Sequence, residues 1–332
     1  MVAERLHLPR VCIVSPALAA ANNGNWHTAS RWQRFLAPVA AVEVRGVAAE
    51  GDSDADLLIA LHAGRSAAPI AHWRERRPDA PIALVLTGTD LYRDLDLDPL
   101  ARHSMQCASV IVVLQEAGLG RLDVASRARA RVIVQSATAL IAARRGGDAD
   151  FVAVGHLRDV KDPETLMRAA RLLRADSGAS PTIAHIGEAL DPSLADAARA
   201  TMADCPAYRW LGAMPHTAAR RAIARARALV HMSHIEGGAN VIVEAVRSRV
   251  PVLASRIDGN VGLLGAGYDG YFAVGDAGAL ATLMHRFVAD TAFAAHLGAQ
   301  CAAREPLFGP AVERRAVRSL VADLLAPRSS RR

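Results

Sequence analysis

The stretch Ala228-Leu229-Val230-His231-Met232-Ser233-His234-Ile235-Glu236-Gly237-Gly238-Ala239-Asn240-Val241-Ile242-Val243-Glu244-Ala245 decides how the chain is read. Its first four residues form an apolar run of strand length, the glycine pair marks a tight turn, and apolar residues at helical spacing follow. A buried strand that passes through a glycine turn into a helix is half of a strand–helix–strand unit, the repeating element of a parallel sheet. At the helix start, backbone N–H groups from Gly237 to Asn240 point outward at the positive end of the helix dipole, which makes an anion site. Glu236 precedes the glycines and Glu244 stands two turns into the helix, so two carboxylates flank that site at different depths. Glu244 is placed to accept hydrogen bonds from a ribose, and Glu236 from the hydroxyls of a sugar. The structural alternative, with Glu236 capping the helix and Glu244 on the surface, fits the segment equally well.

The same alternation of short apolar runs and longer amphipathic ones extends in both directions. Strands are expected at residues 11–14, 42–44, 57–61, 82–86, 110–114 and 132–134. A second series follows at 151–154, 182–186, 208–210, 228–231, 252–255 and 270–274. The polar, glycine-containing residues 143–150 separate the two series and read as an interdomain hinge. Two doubly wound α/β domains are therefore expected, over 1–146 and 147–303, with an amphipathic helix and basic tail over 304–332. In such sheets ligands bind beyond the carboxyl ends of the strands, so the loops there are where chemistry is sought.

Composition narrows the class. The chain has 332 residues, 52% hydrophobic and 22% charged, enough for two ordinary cores and too polar for a membrane bundle. No apolar run approaches the roughly 18 residues of a membrane span, and the opening MVAERLHLPR lacks the apolar core of a secretory signal, so a cytoplasmic protein is expected. Cys12, Cys107, Cys205 and Cys301 are far apart, which signals neither a zinc site nor a disulfide framework. The net charge of +6 is mostly a tail property, because residues 304–332 carry 7 Arg against 3 acids. With no basic-aromatic stripe in the body, nucleic-acid binding is not indicated.

A second count points to a site. Of 39 basic residues, only Lys161 is lysine. Where arginine serves nearly everywhere, a lone lysine hints that a compact ammonium is wanted at that place. It lies in Val152-Ala153-Val154-Gly155-His156-Leu157-Arg158-Asp159-Val160-Lys161-Asp162-Pro163, again a buried strand, a glycine and a cationic loop before a helix that opens on proline. Arg158 and Lys161 are candidates to neutralise a diphosphate; the alternative is that both are ordinary solvated charges.

The G-x-L-x-x-x-K loop, followed about 75 residues on by E-G-G-A-N-x-x-x-E-A, resembles the retaining GT-B glycosyltransferases of family 4. The resemblance implies two facing Rossmann-like domains with a carboxy-terminal helix that crosses back to the first. It also implies a nucleotide-sugar donor with no metal or other cofactor. Lys161 would contact the donor diphosphate, Glu244 the ribose and Glu236 the sugar, with Gly155, His156, Gly237, Gly238, Ala239 and Asn240 completing the donor site. One departure stands out: the family usually has Arg directly after the glycine, where this chain has His156. Either Arg158 supplies the second positive charge or the diphosphate is held less tightly.

The amino-terminal half carries a second set of candidates. Asn22-Asn23-Gly24-Asn25 enters a helix after the first strand, with His27 and Arg31 one turn apart on the same side. His62 and Arg65 follow the 57–61 strand, and Thr87-Gly88-Thr89-Asp90 follows the 82–86 strand. Asn25 reads equally well as an N-cap, and Asp90 as the cap of its turn. These runs, together with the 154–163 loop, resemble the selenosugar synthases of selenoneine biosynthesis. That likeness implies transfer of a hexose, N-acetylglucosamine or glucose, from a UDP-sugar to selenophosphate. Gly24, Asn25, His27, Arg31, His62, Arg65, Thr87, Thr89 and Asp90 would then bind the acceptor. An O-glycosyltransferase acting on a sugar or lipid, or a nucleotide-sugar-binding regulator without turnover, remains open. Asp94-Leu95-Asp96-Leu97-Asp98 contains the D-x-D of metal-dependent glycosyltransferases, but it lies beside Pro99 in a polar stretch that reads as a helix entry.

Overall fold

The structure, a computed structural model, describes residues 8–19, 23–49, 53–142, 149–173 and 181–327. Contacts divide the chain into two units, one made of residues up to 135 together with those from 310 onward, the other of residues 136–309.

The first unit runs β1 (Arg10–Ser15), α1 (Gly24–Leu36), β2 (Ala41–Gly46), β3 (Leu57–Leu61), α2 (Ala67–Arg76), β4 (Ile82–Leu86), α3 (Leu95–Leu97), α4 (Pro99–Cys107), β5 (Val110–Val113), α5 (Val124–Ala128) and β6 (Ala130–Val132). Its strands pair in parallel in the order β2-β1-β3-β4-β5-β6. The central strands are apolar throughout because both faces of the sheet are covered. Val11 and Ile13 enter one core layer with Leu57 and Ile59, whereas Cys12 and Val14 enter the other with Leu58 and Ala60. Cys12 is sealed in, and burial pushes its thiol up to about 12.

The second unit runs β7 (Phe151–Val154), α6 (Pro163–Leu172), β8 (Ile183–Ile186), α7 (Pro192–Asp204), β9 (Tyr208–Trp210), α8 (His216–Arg225), β10 (Ala228–His231), α9 (Asn240–Arg247), β11 (Val252–Ser255), α10 (Asp258–Leu264), β12 (Tyr271–Phe272), α11 (Ala277–Ala289) and α12 (Thr291–Arg304). These strands are also all parallel, in the order β12-β11-β10-β7-β8-β9. Order reverses at the β7–β10 neighbours, which is where a doubly wound sheet opens its binding crevice. The expected two-series α/β architecture is therefore what forms.

The last helix, α13 (Pro310–Leu325), belongs to the first unit. Val317, Leu320, Val321 and Leu324 join the core layer that holds Trp32 and Leu36 of α1. Glu313, 1% exposed, accepts hydrogen bonds from Trp32 Nε1 and Arg31 Nε, both at 2.7 Å. The unit limits differ from those that sequence pattern sets, 146 and 303. Gln135 is already tied to the first unit by its Nε2 donating to Thr28 Oγ1 at 2.6 Å, whereas the Ala137 N–H donates to Phe308 O in the second. Phe308 is fully buried, so the crossing helix starts only at Pro310. Of the expected hinge, residues 143–148 lie outside the described residues. Among the described residues no helix is long and apolar enough to cross a membrane.

Glu313 is the residue on which this arrangement most depends, because removing it strands a partly buried guanidinium and a buried indole N–H. Glu313→Ala should lower stability by about 3–5 kcal/mol. A shift of the urea midpoint corresponding to less than one kcal/mol would show that the pair is not what holds α13.

Candidate active site

In the second unit the chain leaves β7 at Val154, turns at Gly155 and passes through one short turn at Asp159–Lys161 before α6. Asp162 stands in the left-handed region at φ 46°, unusual for a residue with a side chain. It caps α6, accepting from the Thr165 N–H at 3.2 Å and the Thr165 hydroxyl at 2.6 Å. The loop after β10 is laced to it: the His234 N–H donates to Val160 O at 3.0 Å, and His234 Nε2 lies 3.0 Å from Asp162 Oδ2.

That lacing brings together residues 75 apart in sequence. Lys161 Nζ pairs with Glu236 Oε1. The same oxygen lies 3.3 Å from Nε2 of His231, the last residue of β10. Burial alone would raise the Glu236 carboxyl, but the Lys161 ammonium and the hydrogen bond from His231 outweigh it and hold the group well below the usual carboxylate range. Two glycines make the packing possible. A Cβ at Gly259 would sit 2.1 Å from Glu236 O, and one at Gly187, where φ is +158°, would sit 1.9 Å from Gly155 O. Each lets a neighbouring loop rest directly on a site residue's backbone.

The structure decides the alternatives left open for the glutamates. Glu236 does not cap α9: Ala239 occupies the cap position, no side chain caps the helix, and the first-turn amides beyond Gly237-Gly238 are left to other partners. Glu244 is buried rather than on the surface. It takes His216 Nε2 at 2.6 Å, with Arg220 Nε at 3.9 Å. His156 is partly buried at the mouth of the Gly155 turn, and its pKa is lowered by burial, with Arg158 and Lys161 adding to the effect against Glu188. Arg158 is partly exposed at the start of the Asp159–Lys161 turn, near enough to His156 for their charges to interact. Lys161, Glu236, Gly237 to Asn240 and the Gly155–Arg158 turn thus converge at the carboxyl ends of β7 and β10, with Glu244 inside α9.

In the first unit the acceptor candidates line the ends of β1, β3 and β4. The cap of α1 is Asn23, not Asn25: its side chain accepts from the N–H groups of Asn25 at 3.1 Å and Trp26 at 3.3 Å. Gly24 is the first helical residue, and its carbonyl accepts from the Thr28 hydroxyl. His27 and Arg31 do share a face, with Arg31 Nη1 donating to His27 O at 3.4 Å, but the Arg31 charge faces the buried Glu313. His62 ends β3 at φ 71° and is buried, a strained backbone of the kind found at ligand sites. Its Nδ1 accepts from the Arg65 N–H at 3.3 Å, and its Nε2 lies 3.0 Å from Thr89 Oγ1 and 3.8 Å from Asp94 Oδ2. Arg65 is exposed and Thr87 half-buried.

Asp90 proves to be a turn cap. Fully buried, it accepts from the N–H groups of Ala63 at 3.0 Å, Thr87 at 2.9 Å and Gly88 at 2.7 Å, fastening the loops after β3 and β4 to each other. The aspartates of the D-x-D run are spread over different partners: Asp94 on Arg93, Asp96 on Arg121, and Asp98 capping α4 through the Leu100 N–H. Sequence pattern passes over His231, His216, Asp162 and the two glycines 187 and 259. Single histidines and glycines at loop ends carry no spacing signal, and their importance comes only from the residues they meet.

Residues 141–303, the larger part of the second unit with every donor-side residue above, match the family described as glycosyl transferases group 1. Among solved structures, HepE from Anabaena, crystallised with UDP and glucose, superimposes with a TM-score of 0.75 at 14% identity over 95% of this chain and 100% of its own. Sucrose-phosphate synthase from Thermosynechococcus elongatus gives 0.76 at 16% identity, over 96% and 99%. The pneumococcal O-GlcNAc transferase GtfA, in complex with UDP and GlcNAc, gives 0.64 at 15% identity, over 82% and 57%. No curated protein sequence matches the chain. The fold is therefore GT-B. Within it, the residues that match the glycosyl transferases group 1 family all lie in the second unit.

Two outcomes follow from this geometry. Because the folded-state pKa of Glu236 lies below its ordinary 4.5, the stability it contributes is present above about pH 4.5 and is lost as pH falls through the folded value. The stability difference between the protein and Glu236→Gln, read by urea unfolding, should therefore shrink on acidification from neutrality to below pH 4; a difference that stays constant would contradict the assignment. Gly259→Ala should displace the 236 backbone and weaken ligand binding at this site while leaving the first unit's unfolding unchanged.

Proposed function

We propose that the chain is a glycosyltransferase that moves a hexosyl unit, N-acetylglucosamine or glucose, from a UDP-sugar to selenophosphate. The observation that carries the donor half is the meeting of a lone ammonium, an uncapped helix start after two glycines, and two buried glutamates in a group 1 domain. HepE has been crystallised with UDP-glucose, and GtfA with UDP and GlcNAc, ligands that this donor assignment accommodates. Lys161, helped by Arg158 and the Gly237–Asn240 amides, stabilises the diphosphate as it leaves; His156 and Gly155 shape the turn beneath it. Glu236 orients the sugar hydroxyls and Glu244 the ribose. No metal is called for, since the leaving charge is met by protein cations and dipoles.

The acceptor half rests on the first unit. In the transfer, the C1–O bond to UDP breaks with its electron pair going to the diphosphate, and a C–Se bond forms from a selenium lone pair of selenophosphate. That nucleophile is already anionic at neutral pH and requires no strong base. The committed state of Asp90 supports this reading, because both of its oxygens are engaged by backbone donors and neither is left to deprotonate a hydroxyl. Gly24, Asn25, His27, Thr87, Thr89, His62 and Arg65 offer donors and two imidazoles for holding an anion; Arg31 acts through the shape of α1 rather than through free charge.

Incubation with UDP-N-acetylglucosamine or UDP-glucose and selenophosphate should yield UDP and a selenium-containing sugar, followed by mass spectrometry. Turnover only with a hydroxyl acceptor would replace the acceptor assignment, and UDP binding without turnover would replace the enzyme assignment. Lys161→Ala should cost on the order of 10²–10³-fold in kcat. Chelation by EDTA should leave the rate unchanged.

A further inference from the structure

The pairing of Lys161 with Glu236 leaves an electrostatic problem that the donor assignment does not solve. Lys161 is the cation expected to meet the diphosphate, yet in the resting site it neutralises a carboxylate that is itself buried. When the ammonium turns to a phosphate oxygen, Glu236 keeps its negative charge in a place where an uncompensated carboxylate is costly. A donor also brings further negative charge toward it.

The group positioned to restore the balance is His231. It is 4% exposed at the carboxyl end of β10, with Nε2 3.3 Å from Glu236 Oε1. Ser233 Oγ lies 3.4 Å from the same nitrogen, and Nδ1 is buried with no hydrogen-bond partner among the described residues. The charged and titratable groups around it are few. On its own loop there is Glu236; on the β7 side there is Lys161, acting through Glu236; the β11 residue in register with it is the uncharged Ala254. His234 is turned to Asp162, and His216 to Glu244. Among these groups, His231 is the one beside Glu236 whose ring has a second nitrogen able to take a proton.

We propose that His231 is a positioning residue that takes up a proton when a nucleoside diphosphate draws Lys161 away from Glu236. Before binding, a neutral ring donates from Nε2 to the carboxylate and Lys161 carries the compensating charge. After binding, one proton from solvent occupies Nδ1, the resulting imidazolium holds Glu236 ionised and in place for the sugar hydroxyls, and Lys161 is free for the diphosphate. Charge is conserved: one proton enters for one ammonium re-aimed. This rests on the donor-site reading of Lys161 and Glu236.

The test is calorimetric titration of the full chain with UDP at about pH 8, above the ordinary histidine range, in buffers of differing ionisation enthalpy. The slope of observed heat against buffer ionisation enthalpy counts protons directly. The expected result is uptake of about one proton per UDP, and a UDP affinity that falls with rising pH. His231→Gln keeps a side-chain donor but cannot be protonated, and should bind UDP with no buffer-dependent heat. Binding of UDP by the unaltered chain with no proton uptake would overturn the proposal while leaving the donor assignment standing. Uptake that persists in His231→Gln would assign the proton elsewhere and overturn it too. Absence of UDP binding altogether would remove both.

Discussion

The candidate site of the second unit depends on one ion pair between residues far apart in the chain. Lys161 and Glu236 lie on loops that leave adjacent parallel strands, β7 and β10, and their contact is possible because the sheet order reverses at that point. Everything else nearby serves the pair. Asp162 accepts a left-handed backbone to cap α6 and to receive His234, which draws the two loops together. Gly259 and Gly187 omit side chains so that neighbouring loops can lie against Glu236 and Gly155. An ion pair of this kind adds little net stability once desolvation is counted. On the proposed donor reading, its value is that it keeps a partly buried ammonium ready to exchange one anionic partner for another.

The first unit uses buried carboxylates differently. Asp90 gathers three backbone N–H groups, and Glu313 gathers an indole and a guanidinium. Both are saturated and both are architectural: one sets the spacing of two loops at the ends of β3 and β4, the other fastens α13 to α1. His62, in a strained backbone beside Thr89, stands at the point where these fixed loops meet. On the proposed acceptor reading, rigid anchoring of this sort lets these groups hold an anion without doing proton transfer.

Much of the architecture was legible in the sequence because parallel strands covered on both faces are nearly continuous apolar runs, as at 57–61 and 82–86, bounded by polar loops. The residues that meet in the second unit stood out for a related reason: a lone lysine among arginines, and two glutamates at fixed spacing around a glycine pair, are local patterns. What could not be read was partnership across the chain. Asp90 and Arg31 each had the right residue type for binding, and each turned out to be engaged by the fold, Asp90 by backbone amides and Arg31 by a residue 282 positions away. Asn25 lost the cap of α1 to Asn23 because two side chains with the same capability stand two residues apart, and only backbone geometry chooses between them. His231 and His216 give no sign in sequence, since a histidine's role is set by the carboxylate it meets.

The membership of α13 in the first unit also bears on how the polypeptide matures. Synthesis delivers residues up to 135 before the second unit, yet the hydrophobic layer around Trp32 and Leu36 is closed by Val317, Leu320, Val321 and Leu324, which are made after it. The second unit is contiguous and can condense while the nascent chain is still being extended. The first must wait until α13 has been made, with an apolar layer uncovered in the meantime, so loss of α13 would leave the lobe translated before the second unit as the one that never finishes folding.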